Sequence, residues 1–125
     1  MEEKRRYPRL TRNLPIKLYD SEFDIVTETK NISGNGAYCA VDRPIPVMTK
    51  LNIVLLIPFK SRRNKEKIVK KINCEGVVVR GKYIRDNGRH SYYVGIYFND
   101  IKEKDRKILL SYIDSFLKST NNNLS

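Results

Sequence analysis

Residues 14–41 read LPIKLYDSEFDIVTETKNISGNGAYCAV, and this stretch indicates the fold class. Apolar and polar residues alternate over 14–18, as in a strand with one buried face. A short Asp-Ser turn leads to a second, Thr-rich strand over 23–30. The segment NISGNG at 31–36 predicts a turn whose glycines serve positive φ angles or close approach, and a third strand follows over 37–41. These alternating strands and turns indicate an antiparallel sheet.

The second half of the chain continues the pattern of strands and turns. An apolar run over 51–59, interrupted by Asn52, predicts a strand that is central or buried on both faces. A charged loop separates it from a long β-branched strand over 68–80, in which Gly76 marks a bulge or bend. The turn signal RDNG at 85–88 precedes a last strand over 92–98. Six short strands spaced by turns predict a small antiparallel barrel.

After the last strand, the hydrophobic period changes to that of a helix. Apolar residues recur at three- and four-residue spacing over 101–118, and Asp100 with Glu103 resembles a capping box. We expect this amphipathic helix to pack on the barrel. The predicted fold is therefore mainly β, a six-stranded antiparallel barrel with a C-terminal α-helix. The 125 residues form one domain, divided into a flexible basic arm over 1–12, the barrel and helix over 13–119, and a disordered tail over 120–125.

Charge is the most informative feature of the composition. The chain has 25 Lys and Arg against 14 Asp and Glu, a formal net charge of +11. The excess is concentrated in the N-terminal arm and over 61–90, where ten basic side chains meet three acidic ones. This balance predicts a partner that carries phosphates, either nucleic acid, a nucleotide or an anionic membrane surface. Composition alone favours nucleic acid, and a merely solvated basic surface is the alternative.

Residues for covalent or metal chemistry are scarce. His90 falls in the predicted hairpin turn, and Cys39 and Cys74 fall on predicted strands, where buried and inert thiols are expected. The sequence has no nucleophile elbow, phosphate loop or zinc-ligand spacing. It also has no apolar run near the roughly 20 residues that span a membrane, and no secretory signal. We therefore expect a cytoplasmic binding protein without catalytic residues, metal or cofactor.

The basic arm contains an RxxxR arrangement that begins at Arg5 and ends at Arg9, with Arg6 as an additional guanidinium. Pro8 biases Tyr7 towards an extended conformation, so the arm can wrap around a ligand. A guanidinium can hold a phosphate through two hydrogen bonds, bind the O6 and N7 edge of guanine, or stack on a base. Taken alone, the segment is better explained as a solvated basic arm.

A second motif, of the form [DN]xSxxG, begins at Asn31. Asn31 and Ser33 alternate, so both point to one face of an extended backbone. An Asn amide oxygen can accept from N1 and N2 of guanine, and a Ser hydroxyl can donate or accept. Gly36 would let a backbone approach a phosphate or a base closely. Taken alone, this motif is better explained as an ordinary turn rich in Asn and Gly.

Together and in this order, the two motifs resemble those of the PilZ domain family of bacterial cyclic di-GMP receptors. The sequences EGVVVR at 75–80 and YVGIYF at 93–98 are similar to later strands of that family, and the resemblance covers about 4–117. It implies a six-stranded barrel with a cyclic di-GMP site on its outer surface. Asn31 stands where many members have Asp, which preserves a hydrogen-bond acceptor. The residues implied as ligand contacts are Arg5, Arg6, Arg9, Asn31, Ser33 and Gly36, with Lys4, Gly34 and Gly95 as secondary candidates.

The function implied by this resemblance is that of a stand-alone cyclic di-GMP receptor. A bound dianion would neutralise the arginines, fold the arm onto the barrel and present a new surface to an unidentified downstream protein. Two alternatives remain open. The chain could be an adaptor that binds proteins without the nucleotide, or a small barrel that binds nucleic acid through the basic region 61–90. Ligand binding is the observation that discriminates among the three.

Overall fold

Within the residues that the computed structural model describes (7–60, 63, 65–86 and 89–124), the chain forms six strands and one helix. Their order is the one that the hydrophobic pattern predicts, so the mainly β fold with a C-terminal helix is confirmed. The elements are β1 (Pro15–Tyr19), β2 (Asp24–Ser33), β3 (Gly36–Val41), β4 (Lys50–Lys60), β5 (Lys67–Asp86), β6 (Arg89–Asp100) and α1 (Glu103–Leu124).

The strands pair antiparallel in the order β1-β2-β3-β6-β5-β4 and close into a barrel. β1 completes the closure because it pairs with β2 on one side and with β4 on the other. In a barrel, successive side chains of each strand point alternately to the interior and to the exterior. The outer face of the paired strands is therefore available for binding.

The barrel interior is filled by aliphatic side chains from alternating positions. In β4 the odd-numbered residues over 51–57 are at most 2% exposed, whereas Val54 and Leu56 on the outer face are only half-buried. The apolar run of β4 therefore belongs to a strand with one fully buried face. Leu109 and Ile113 of α1 join the same core, so the amphipathic helix packs on the barrel as its periodicity predicts.

Several strands extend further than the sequence pattern predicts. β2 continues through Ser33, so the turn between β2 and β3 contains only the two residues 34–35. β5 continues to Asp86 because it pairs in register with β6 out to Arg89. The RDNG segment thus lies partly in a strand, its Asn87 and Gly88 lie outside the described residues, and the backbone of residue 90 lies in β6.

The predicted landmarks at Gly76 and at the helix start have different outcomes. The register of β5 against β6 shifts between Glu75 and Val77, but there the extra residue lies in β6, opposite Gly76. The extra residue of β5 is Val79, so the bulge predicted in β5 is displaced from Gly76. The capping box is wrong because Asp100 is the last residue of β6, and the first helical bonds are accepted by the carbonyl of Lys102. α1 continues to residue 124, since neither Gly nor Pro follows residue 118 to end it.

Both cysteines are buried, on strands of the barrel. Burial raises the pKa of the Cys39 thiol from its ordinary value of 9.0 to about 12. Burial also raises the pKa of Cys74 to about 12, and the nearby carboxylate of Asp105 adds to the effect. Because the thiolate is the reactive form, both side chains should be inert in the folded protein.

We expect neither thiol to react with Ellman's reagent near neutral pH until the protein is unfolded. In the unfolded chain the thiols ionise near pH 9.0, whereas in the fold they stay protonated up to about pH 12. Their contribution to stability is therefore fully present below pH 9.0 and is lost as pH rises from 9.0 towards about 12. Denaturant unfolding across this range should show the decline, and a Cys39→Ala/Cys74→Ala variant should show a shallower one. Rapid labelling of the native protein would contradict the burial.

Candidate functional site

The arm is anchored on β2 immediately beside the second motif. The N–H of Leu10 donates to the carbonyl of Ile32 at 2.8 Å, and the N–H of Ile32 donates back to the carbonyl of Leu10 at 2.9 Å. The buried hydroxyl of Thr29 donates to the carbonyl of Arg12 at 2.6 Å and accepts from the N–H of Leu14 at 2.9 Å. These bonds fix the end of the arm next to the start of the motif.

A side-chain hydrogen bond joins the two sequence motifs. Nη1 of Arg9 donates to Oδ1 of Asn31 at 2.9 Å on the outer surface. A guanidinium carries five N–H donors, so this bond uses a small part of its capacity. The structure therefore brings together Arg9 and Asn31, whereas Lys4, Arg5 and Arg6 lie outside the described residues and their part in a site stays a prediction.

Ser33 and Gly36 shape the turn that follows Asn31. Ser33 is only 4% exposed. Its hydroxyl donates to Oδ1 of Asn35 at 2.7 Å and accepts from the N–H of Asn35 at 3.3 Å. A Cβ on Gly36 would stand 2.4 Å from the carbonyl oxygen of Ile96, so the close approach predicted for this glycine is made by β6. Ser33 and Gly36 therefore hold the turn between β2 and β3 against the barrel.

Gly34 lies where the arm, the turn and the helix meet. A Cβ at this position would stand 2.6 Å from Cδ1 of Tyr7 and from Cδ2 of Leu110. Nε of Arg106 donates to the carbonyl of Gly34 at 3.2 Å, and the same guanidinium lies 5.5 Å from the centre of the Tyr7 ring. The glycine thus has a packing role that connects the basic arm to α1.

A row of rings and cations extends across the outer face beside the motifs. The Tyr38 and Tyr93 rings stack with centroids 5.5 Å apart. A cation lies over each ring, with Lys30 at 5.6 Å from Tyr93 and Arg80 at 5.7 Å from Tyr38. We term these four residues the tyrosine row. It lies directly beside the Arg9 bond, because Tyr38 pairs with Asn31 in the sheet.

Gly95 is positioned beneath the tyrosine row. It pairs with Tyr38 on one side and with Arg80 on the other. The Arg80 side chain crosses it, with Cβ and Nε each 3.5 Å from the place of a glycine Cβ. The approach predicted at this glycine is therefore an ordinary van der Waals contact with a side chain. The tyrosine row could not be predicted from the sequence, because local patterns do not indicate how β3, β6 and β5 are aligned with one another.

The described part of the chain lacks the features of two other kinds of site. It holds no group of three or more His, Cys, Asp or Glu side chains that could bind a metal ion. Its helix, α1, is not long and apolar enough to cross a membrane. The candidate site is the polar outer face on which Arg9 meets Asn31.

The model of the PilZ domain family matches residues 3–115 of the chain. The chain belongs to this family. The match spans both motifs, all six strands and most of α1, so the tyrosine row and the Arg9 bond lie within the PilZ domain. No curated protein gives a significant match to the chain.

Several solved structures are similar to this chain, and two of them illustrate the shared PilZ fold. The inhibitor of motility MotI/DgrA from Bacillus subtilis is 21% identical, with a TM-score of 0.72 over 91% of this chain and 51% of its own. The chain thus spans about half the length of that protein. The PilZ domain of YcgR from Escherichia coli, solved with c-di-GMP, is 10% identical, with a TM-score of 0.62 over 97% of each chain. At these identities, the similarity demonstrates the fold.

Proposed function

We propose that this PilZ domain is a cyclic di-GMP receptor that acts by binding and without catalysis or a cofactor. The observation that carries the proposal is the hydrogen bond between Arg9 and Asn31, which joins one residue of each family motif on the outer surface. Family membership and the fold shared with a c-di-GMP-bound PilZ domain support the same ligand. The net charge of +11 favours a dianion over a neutral metabolite.

The groups at the site suit both the phosphates and the guanine bases of cyclic di-GMP. The donors of Arg9, with those expected from Arg5 and Arg6, match phosphate oxygens and the O6 and N7 edge of guanine. The Asn31 amide oxygen matches the N1 and N2 donors of guanine. Binding would exchange the single Arg9–Asn31 bond for several charge-assisted ones. The tyrosine row supplies cations beside the site, and the planar guanidinium of Arg80 is a group on which a base can stack.

The anchoring of the arm defines how a signal would be relayed. The Leu10–Ile32 bridge fixes the arm at residue 10, so a rearrangement is confined to the residues before it. Tyr7 in that segment packs over Gly34 and beneath Arg106 of the helix. A ligand that draws Arg9 towards itself would shift Tyr7 and alter the arm–helix surface. We propose that a cytoplasmic downstream protein recognises this altered surface.

Calorimetric titration of cyclic di-GMP into the full chain at near-physiological salt tests the proposal, with GTP as the control ligand. Saturable heat with cyclic di-GMP and none with GTP is expected, and the stoichiometry gives the number of ligands per site. Tight binding of a single-stranded oligonucleotide with a steep salt dependence and no preference for cyclic di-GMP would favour a nucleic-acid protein. Absence of binding to either would favour a protein adaptor.

An Asn31→Ala substitution should weaken cyclic di-GMP binding about tenfold, because one acceptor is lost to guanine and the Arg9 side chain loses its neighbour. The matched control is Asn52→Ala, an exposed position on β4 remote from both motifs. Affinities from the same titration provide the measurement. Equal affinities for the two variants would remove Asn31 from the site.

A further inference from the structure

The β4–β5 hairpin projects beyond the barrel. Among the described residues, β1 pairs with β4 only over 52–55, and β6 pairs with β5 only from Glu75 onwards. β4 and β5 nevertheless continue to pair with each other over 56–60 and 67–71. This part, termed the ribbon, is two-stranded and lacks the neighbouring strands that flank the rest of the barrel.

The ribbon is strongly basic. Residues 58–71 contain seven Lys and Arg and one Glu. The lysines in the described part of 58–71, which includes the connection between the two strands, are all exposed. Such density of positive charge attracts an anionic surface without requiring a shaped pocket. The exposed lysines are Lys60, Lys65, Lys67, Lys70 and Lys71.

Exposed apolar side chains occur on both faces of the ribbon. Val69 is 61% exposed and pairs with Pro58 on the outward face. Ile68 is 44% exposed and pairs with Phe59 on the opposite face, where Phe59 packs edge-on against Tyr112 of α1 at 6.1 Å. A protein that docks on one face would leave the aliphatic residue of the other in water. A lipid interface surrounds the tip of a ribbon on both sides.

We propose that the ribbon docks the protein onto an anionic lipid bilayer. The lysines lie near the headgroup phosphates, and Val69 and Ile68 enter the boundary between headgroups and acyl chains. Exposed aliphatic side chains favour lipid over single-stranded nucleic acid, which stacks its bases on aromatic rings. This docking is separate from the Arg9 site and holds whether or not cyclic di-GMP binds.

Flotation of the full chain with vesicles tests the charge requirement. Vesicles of equal parts phosphatidylglycerol and phosphatidylcholine should bind the protein, and pure phosphatidylcholine vesicles should not. Lys67→Gln/Lys71→Gln should weaken binding about 25-fold, at about fivefold for each lysine. The matched control Lys50→Gln/Lys104→Gln removes the same charge at the far end of β4 and on α1, and should change binding less than about twofold. Equal losses in the two variants, or binding to neutral vesicles, would overturn the proposal.

Insertion can be followed separately, because the sequence contains no Trp. A Val69→Trp variant carries a single fluorophore at the ribbon, and its exposed position tolerates the change. On binding to phosphatidylglycerol-containing vesicles, its emission should shift to the blue and be quenched by brominated lipids. A bound protein whose Trp stays unquenched would contradict insertion. Tighter binding of an oligonucleotide through the same lysines would assign the ribbon to nucleic acid instead.

Discussion

Replacing Arg9 with alanine should lower the affinity for cyclic di-GMP about a hundredfold. The Arg9 guanidinium contacts Asn31 of the second motif, and its fork of donors suits both phosphate and guanine. Loss of two charge-assisted hydrogen bonds, each contributing about 1.5–3 kcal/mol, gives a decrease of at least this size. Calorimetric titration of the variant beside the unmodified chain measures it.

Two further variants separate geometry from charge at this position. Arg9→Lys keeps the charge but loses the planar fork, so it should recover only part of the affinity. Arg43→Ala removes the same charge from an exposed loop, where Arg43 pairs only locally with Asp42. It should bind nearly as well as the unmodified chain. An Arg9→Ala variant with unchanged affinity would place the ligand elsewhere on the protein.

Replacing Gly36 with alanine should lower the free energy of unfolding by about 3 kcal/mol. The added methyl would lie 2.4 Å from the carbonyl oxygen of Ile96, and that carbonyl belongs to a paired strand that cannot move alone. Overpacking in a rigid environment costs about 1–3 kcal/mol, and a backbone neighbour favours the upper end. Urea denaturation provides the measurement.

The control for this substitution is Gly81→Ala, also in a strand of the barrel. Among the described residues other than Gly81 and its chain neighbours, no atom lies within 4 Å of a Cβ at Gly81, so the methyl enters open space. The substitution should leave stability unchanged or raise it by about 0.5 kcal/mol, because alanine loses less backbone entropy on folding. A loss at Gly81 as large as that at Gly36 would show that the β3–β6 contact is not the cause.

The strands whose side chains alternate between core and solvent could be predicted from the sequence. The alternation over 14–18 and the apolar run over 51–59 reflect which side chains are inside the barrel, so β1 and β4 were recognised. The end of β5 and the start of β6 could not be predicted from the sequence, because residues 81–86 are largely polar or exposed. Pairing between the two strands decides their length, and this depends on residues distant in sequence.

The same distinction applies to the candidate site. The resemblance to the family names Arg9 and Asn31 as residues of one site, and the hydrogen bond between them joins their side chains. The contact of Arg106 with Gly34 joins residues 72 positions apart, and it depends on how α1 is placed over the turn. Likewise, Tyr38 and Tyr93 meet only because of the register between β3 and β6. Local patterns carry no information on either placement.

If cyclic di-GMP binds as proposed, the contact at Gly34 would couple ligand binding to recognition of α1 by another protein. Tyr7 of the arm and Leu110 of α1 share the space above this glycine, so a change at one alters what packs against the other. If cyclic di-GMP changes the affinity of a protein that binds α1, thermodynamic linkage requires that protein to change the affinity for cyclic di-GMP by the same factor. The concentration at which the receptor responds would then depend on how much of its partner is present.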